Sequence, residues 1–292
     1  MIGRILDRCR IEDGKGFRLK RHDPAGTAGE TIPHDWAVAQ LAAGVARLAA
    51  LQELLRAQNS WSLLCIFQAI DAGGKDGTIK HVMSGVNPQG VEVTSFKAPG
   101  PEELAHDFLW RVMRRAPARG MIGIFNRSHY EEVLVPRVHP HILARQHLPD
   151  RLLTRKIWQH RLEDISAFER YLSRQGVVIL KFFLHISKEE QRRRFYERMD
   201  DPDKNWKFSA ADIAERAHWD EYMRAYEAAI AGTACRHAPW FVVPGDHKRF
   251  AHLVVVEAMI DALERLDLHP PVPSAEEREL LAAGRRALDS EG

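Results

Sequence analysis

Cysteine is scarce in this chain of 292 residues, and the three present (Cys9, Cys65 and Cys235) are odd in number and far apart. That excludes a disulfide framework. Cys65 stands inside an apolar run, where a thiol behaves as a small buried hydrophobe. Histidine is plentiful at 15 residues, yet no Cys/His cluster has the spacing of a zinc site. Charge of one sign is lacking too: 42 Lys and Arg against 40 Asp and Glu leave a net +2. A globally basic nucleic-acid binder is therefore not indicated, and any polyanion site must be a local concentration of cations. No uninterrupted apolar run approaches the roughly 20 residues that span a bilayer. Residues 1–10 carry scattered charges instead of the apolar core of a secretory signal. The expectation is a cytoplasmic protein with neither a membrane nor a nucleic acid as partner.

What is present is ample apolar material, 45% of residues, arranged in alternating patterns. Residues 1–33 are polar, lack periodicity and read as an irregular N-terminal arm. Residues 35–58 are Ala- and Leu-rich at helical spacing. Apolar runs then recur at 62–70, 91–96, 121–125, 177–186 and 240–243, separated by helical patterns. Buried strands alternating with helices predict an α/β fold, a three-layer α/β/α sandwich around a five-stranded parallel sheet. One domain over 34–268 follows, with a charged, loosely attached helical tail over 269–292. Residues 188–212 form a helix, a charged turn at Asp200-Asp201-Pro202-Asp203, and a second helix that Ser209 caps and that runs to about residue 231. This insert suits a lid; a plain surface hairpin is the alternative.

The densest local signal is Ile70-Asp71-Ala72-Gly73-Gly74-Lys75-Asp76-Gly77-Thr78, which follows a predicted strand and opens a predicted helix. Glycines admit backbone N–H groups to a phosphate, the helix N-terminus adds its dipole, and a lysine neutralises charge. The match to G-x-x-x-x-G-K-[S/T] is imperfect, because Ala69 replaces the first Gly and Asp76 the metal-binding hydroxyl. Asp71 or Asp76 is then the candidate Mg²⁺ ligand, with Mn²⁺ as the alternative ion. A second polar cluster, Phe125-Asn126-Arg127-Ser128-His129-Tyr130, ends the third predicted strand and should face the turn. Arg127 suits phosphate and transition-state charge. No nucleophile elbow surrounds Ser128, and His129 reads as structural.

These two segments resemble the second family of polyphosphate kinases, with its D-x-x-G-K-[D/G]-G turn and F-[D/N]-R-S-x-Y strand end. The lid stretch Asp201-Pro202-Asp203-Lys204-Asn205-Trp206-Lys207-Phe208-Ser209 and the final strand and loop, residues 238–248, match as well. The resemblance implies a thymidylate-kinase-like P-loop fold with a helical lid, in a homodimer or homotetramer. It also implies metal-dependent transfer between inorganic polyphosphate and nucleotides. Carried over, Asp71 is the metal-binding acid, with Lys75 and Arg127 as its catalytic companions. Gly73, Gly74, Asp76, Gly77, Lys80, Arg194, Arg198, Lys204 and Lys207 are the phosphate- and polyphosphate-binding candidates, and Asn126 and Arg137 the nucleotide-binding ones. The form with Asn126, where others carry Asp, resembles the subgroup that phosphorylates both AMP and ADP.

A polyanion of about one charge per phosphate needs a cation track. Lys80, Arg111, Arg114, Arg115, residues 192–194, Arg198, Lys204 and Lys207 supply one, unless they are solvated helix faces paired with Glu189, Glu190 and Glu197. An ATP-dependent nucleoside monophosphate kinase and a non-catalytic polyanion-binding protein are the alternative functions.

Overall fold

Strands buried on both faces alternate their side chains between two cores, so their sequence reads as one apolar run. The computed structural model, which describes residues 2–27, 33–203 and 205–291, has this arrangement. β1 (Arg10–Ile11), β2 (Ser62–Gln68), β3 (Val91–Ser95), β4 (Ile122–Asn126), β5 (Val177–His185) and β6 (Trp240–Pro244) form a single sheet in the order β1-β6-β5-β2-β4-β3. Along β2, Leu63, Cys65 and Phe67 enter one core and Leu64 and Ile66 the other; β5 splits Leu180, Phe182 and Leu184 from Ile179 and Phe183 in the same way. Helices His34–Gln58 and Lys248–Glu264 cover the first face, and Glu131–Val138, Ile157–Arg174 and Trp219–Thr233 the second. The result is the three-layer sandwich.

Five strands run parallel as expected, but the sheet has a sixth, β1, paired antiparallel with β6. Residues 1–33 are therefore not simply an irregular arm. Ile5, Leu6 and Cys9 line one side of the helix Ile2–Cys9 and are buried against the Lys248–Glu264 face. Arg10 pairs with Asp261 and stacks over the Phe241 ring, 5.3 Å from its centroid. Burial pushes the Cys9 thiol pKa up to about 12, so that cysteine acts as a hydrophobe.

The helix His34–Gln58 has 25 residues and, by length and composition alone, would suit a membrane. Alanines spread through it raise its mean hydropathy although no uninterrupted apolar run is long. Val45, Leu48, Leu51 and Leu55 are buried in the core, and charged Arg47, Glu53 and Arg56 are exposed, which is the pattern of a covering helix.

The chain leaves β2 for the edge strand β3, returns through β4, then crosses to β5 and β6 on the other side of β2. Strand order thus reverses at β2, and in such sheets ligands sit beyond the carboxyl ends at that reversal. The loops after β2 and β4 meet there. Helix Lys188–Asp200 follows β5, ends before Pro202, and gives way to a 3-10 turn at Asn205–Lys207. The expected single helix from Ser209 is broken into Ala210–Glu215, a 3-10 turn at Arg216–His218, and Trp219–Thr233. Ser209 stands at the N-cap without a side-chain capping bond.

Candidate active site

The turn after β2 is shaped by steric need. Gly73 approaches Ala69 so closely that a Cβ added there would lie 2.5 Å from the Ala69 methyl and 2.8 Å from the Ile70 carbonyl. Gly74 has φ +95 and stands at the N-cap of helix Lys75–Val82, a conformation that only glycine adopts freely. No side chain caps this helix. Among the described residues, no hydrogen-bond acceptor meets the amides of Lys75, Asp76 and Gly77. They are the orphan donors that a helix N-terminus offers an anion. A side chain at Gly77 would meet nothing within 4 Å, so its space is open.

Lys75 lies over this cradle, 9% exposed, its ammonium donating to the Ala69 carbonyl at 2.8 Å and the Ile70 carbonyl at 3.4 Å. Burial, followed by the neighbouring Arg127, lowers its pKa against the pull of Asp71, Glu131 and Asp76. An arriving phosphate would reverse that balance.

Arg127 comes from the other motif. Its backbone sits at φ +63, a strained region for a side-chain-bearing residue that is a mark of functional turns. Its amide donates to the Phe67 carbonyl at 3.0 Å, and its guanidinium meets the Asp71 carboxylate at 3.2 Å. Burial works to lower its pKa, but Glu131 and Asp71 leave it raised, so Arg127 stays cationic. Beneath it, buried Gln68 donates to Glu131 at 2.8 Å and accepts from the Ser128 hydroxyl at 3.1 Å, tying the end of β2 to the Arg127 turn. Asn126 donates to Asp76 at 2.7 Å, linking the two motifs a second time.

Asp71, Lys75, Arg127, Asp76 and Asn126 are thus brought together; other candidates stand elsewhere. Arg194 is buried rather than on an open track. It donates to Glu190 at 2.6 Å and to the Ala72 carbonyl at 3.2 Å, and also bonds the Gly245 carbonyl, so it braces the turn from behind. Arg198 meets Asp212 at 3.4 Å. Lys80 is exposed in the last turn of its helix. That is roughly 8 Å along the axis from Lys75. Arg137 is half-buried and does not line the cavity beside the turn. Lys204 lies outside the described residues, and Lys207 belongs to the 3-10 turn Asn205–Lys207.

The broader cation track needs correcting. Arg111 is buried, paired with Glu103 and Glu132 at 3.4 Å each and bonded to the Lys97 carbonyl at 2.8 Å. Arg115 meets Glu92, Arg192 meets Glu189, and Arg193 is clamped by Glu190 and Glu197. These arginines serve packing and helix-face ion pairs.

A cavity of about 240 Å³ opens beside the turn, lined by Asp71, Arg127, Glu131, Gln191, Asp212, Glu215 and the aromatic rings of Trp219, Tyr222 and Tyr226. Gln191 donates to the Asp71 carbonyl oxygen at 2.9 Å and accepts from Arg216 at 2.7 Å, so helix Lys188–Asp200 is stitched to the turn after β2. Tyr222 donates to Glu215 at 2.8 Å, and His139 meets the same carboxylate at 2.9 Å. Partial burial, and then the nearby Asp71 charge, raise the Asp212 pKa. None of these residues belongs to a local motif. The one available signal for Gln191, Asp212, Glu215 and Tyr222 is their place on the helices between β5 and β6.

His129 is fully buried and within 3.5 Å of Glu169, and burial lowers its pKa. It faces an internal network in which Lys181 pairs with Glu169 at 2.5 Å and the Tyr130 hydroxyl lies 2.8 Å from both the Glu169 carboxylate and the Thr233 hydroxyl. His129 is structural.

A Gly-Gly-Lys cradle at the carboxyl end of a central parallel strand, opposed by an arginine from the next strand and covered by a helical insert, defines a P-loop kinase-like phosphotransferase. Residues 32–270 match the model of the polyphosphate kinase 2 family, and the chain belongs to that family. It is 50% identical over 84% of its length to an ADP-polyphosphate phosphotransferase of Rhodopseudomonas palustris, 85% of which is covered. It is also 45% identical over 92% of its length to an AMP/ADP-polyphosphate phosphotransferase of Meiothermus ruber, 96% of which is covered. The crystal structure of polyphosphate kinase 2 from Arthrobacter aurescens superposes with a TM-score of 0.84 at 43% identity, covering 94% of this chain and 95% of that one.

Proposed function

We propose that this protein transfers the terminal phosphoryl group of inorganic polyphosphate to AMP and to ADP, reversibly and with Mg²⁺ (Mn²⁺ being the alternative ion), in the cytoplasm. The observation that carries the reading is the uncapped helix N-terminus at Lys75–Gly77, with buried Lys75 at its start and Arg127 paired to Asp71 in the preceding turn.

Phosphoryl transfer asks the protein mainly to position reactants and neutralise charge. The Lys75–Gly77 amides hold the oxygens of the transferring group. Lys75 and Arg127 stabilise the charge it spreads in flight. The acceptor phosphate is already anionic near neutral pH, so no strong base is needed. The cavity beside Arg127, lined by the aromatic side chains of Trp219, Tyr222 and Tyr226, takes the acceptor nucleoside. The Gln191 and Arg216 links let the lid close on the phosphate turn and keep water out.

The residues fit a hard divalent ion. Asp71 and Asp212 line one cavity, partial burial and then the Asp71 charge raise the Asp212 pKa, and a cation held by Asp71 would relieve that repulsion while phosphate oxygens and water complete its shell. When bound, the ion neutralises the donor's charge. The use of AMP rests on Asn126, whose amide donates to Asp76. A carboxylate there would set two like charges side by side and repel the incoming phosphate. The two relatives named for ADP alone and for AMP and ADP are of similar identity, so likeness does not choose between them.

The test supplies ADP and polyphosphate with Mg²⁺ or with a chelator and follows ATP by luminescence. The proposal expects ATP only with the metal. Metal-independent turnover refutes the role of Asp71; no turnover with either refutes the donor.

A further inference from the structure

β2 is apolar from Leu63 to Phe67 and then ends on Gln68, whose side chain has no exposed surface. A buried amide must find partners for its oxygen and its N–H groups, and an unmet group costs more than a met one contributes. An apolar side chain of similar volume would fill the space without that demand. Gln68 does not line the cavity beside the phosphate turn either, so it has no ligand of its own to meet.

Its partners all stand around Arg127. The Ser128 hydroxyl donates to the Gln68 oxygen at 3.1 Å, and the Gln68 nitrogen donates to Glu131 at 2.8 Å. The hydroxyl of Tyr226, a cavity residue, meets the same side chain. Ser128 is itself fixed, because its hydroxyl accepts from the Tyr130 amide at 3.1 Å. β2 and β4 pair as far as Phe67 and Asn126, and the Arg127 amide carries the ladder one step on, to the Phe67 carbonyl. There the chain turns at φ +63. The Gln68 bonds span that turn and hold the residues on its far side. A strained backbone persists only where its surroundings over-determine it. The two carbonyls that follow Gln68 in the chain, of Ala69 and Ile70, seat the Lys75 ammonium.

We propose that Gln68 is a positioning residue for phosphoryl transfer, acting through Arg127: its bonds to Ser128 and Glu131 hold the Arg127 turn in the conformation that brings the guanidinium to Asp71. Tyr226 ties the acceptor cavity to the same point. The inference rests on the phosphotransfer reading, and wild-type turnover in the same assay checks that reading separately.

Gln68→Met keeps the volume and removes these bonds. With ADP, polyphosphate and Mg²⁺ it should lower kcat about 30-fold and leave KM for polyphosphate within about twofold, since a misplaced group near the chemistry is felt mainly in turnover. A double-mutant cycle separates positioning from general weakening. In an Arg127→Ala background the same change should cost less than about threefold, because the residue it serves is gone. Melting curves set an assay temperature at which every variant is folded. Should Gln68→Met not fold at all, Ser128→Ala removes one bond from the turn and goes through the same cycle, with a loss of about fivefold expected. Wild-type kcat in the variant, a loss confined to KM, or an equal loss in both backgrounds overturns the proposal and leaves Gln68 a packing residue. A wild type that makes no ATP overturns the functional reading, and this inference with it.

Discussion

Replacing Lys75 by Met removes the cation from the phosphate cradle while keeping the length of the stem. In the folded protein the ammonium is held by two carbonyls, and burial lowers its pKa. Two hydrogen bonds of about 1 kcal/mol each are lost. Against that loss, a buried cation no longer has to be desolvated, and the two effects are of similar size. The stability change at neutral pH is therefore within about 1 kcal/mol of zero, a shift of no more than ~4 °C in Tm. The transition state fares differently. One preorganised cation in a water-poor site is worth about 3–4 kcal/mol, so kcat falls by roughly 10²–10³-fold.

The pH dependence carries a sign. A lysine whose folded pKa is lowered destabilises the fold at pH values below that pKa, and the penalty disappears as pH rises through the window up to the unfolded value of about 10.4. Any stability gained in Lys75→Met should therefore be largest at neutral pH and shrink towards pH 10. Scanning calorimetry at several pH values alongside polyphosphate-dependent ATP formation makes the comparison. A variant that retains a tenth or more of wild-type turnover refutes the catalytic role. One that loses activity only because it unfolds makes Lys75 structural.

Asn126→Asp should lower the rate with AMP more than the rate with ADP, because it opposes Asp76 with a second carboxylate; an unchanged AMP rate would remove this explanation of acceptor choice. Glu169→Gln leaves Lys181 without its carboxylate partner in the core, and chemical denaturation should register a loss of about 3–5 kcal/mol, largely recovered by adding Lys181→Met. His185 and His252 are both held at about 4, chiefly by burial, and for His252 also by His81 and nearby arginine and lysine. The unfolded chain binds those protons near 6.5, so stability should fall as pH drops from about 6.5 to 4, by up to ~3 kcal/mol per histidine. Thermal melts across that range check this, and His252→Asn should flatten part of the slope.

The parallel sheet was legible because strands buried on both faces leave uninterrupted apolar runs, as in residues 62–68 and 177–185. β1 was not: two residues carry no periodicity, and what makes them a strand is β6 beside them. The two motifs could be placed opposite each other because both end strands that lie next to one another, β2 and β4. Sequence could not assign the arginines individually. Arg111 and Arg194 look like their neighbours in the chain and are set apart only by tertiary burial. Gln191, Asp212, Tyr222 and Tyr226 reach the cavity through the fold of the lid and the break near Arg216–His218, which no local pattern announced.

The central claim is a polyphosphate donor with both mono- and diphosphate acceptors. Incubation of the purified protein with AMP, Mg²⁺ and long-chain polyphosphate, followed by separation of the nucleotides, tests it most directly. Sequential appearance of ADP and then ATP, with no triphosphate supplied, is the predicted result. Absence of product with AMP or ADP, with turnover beginning only once ATP is added, would contradict it and make the protein a nucleotide kinase of another kind.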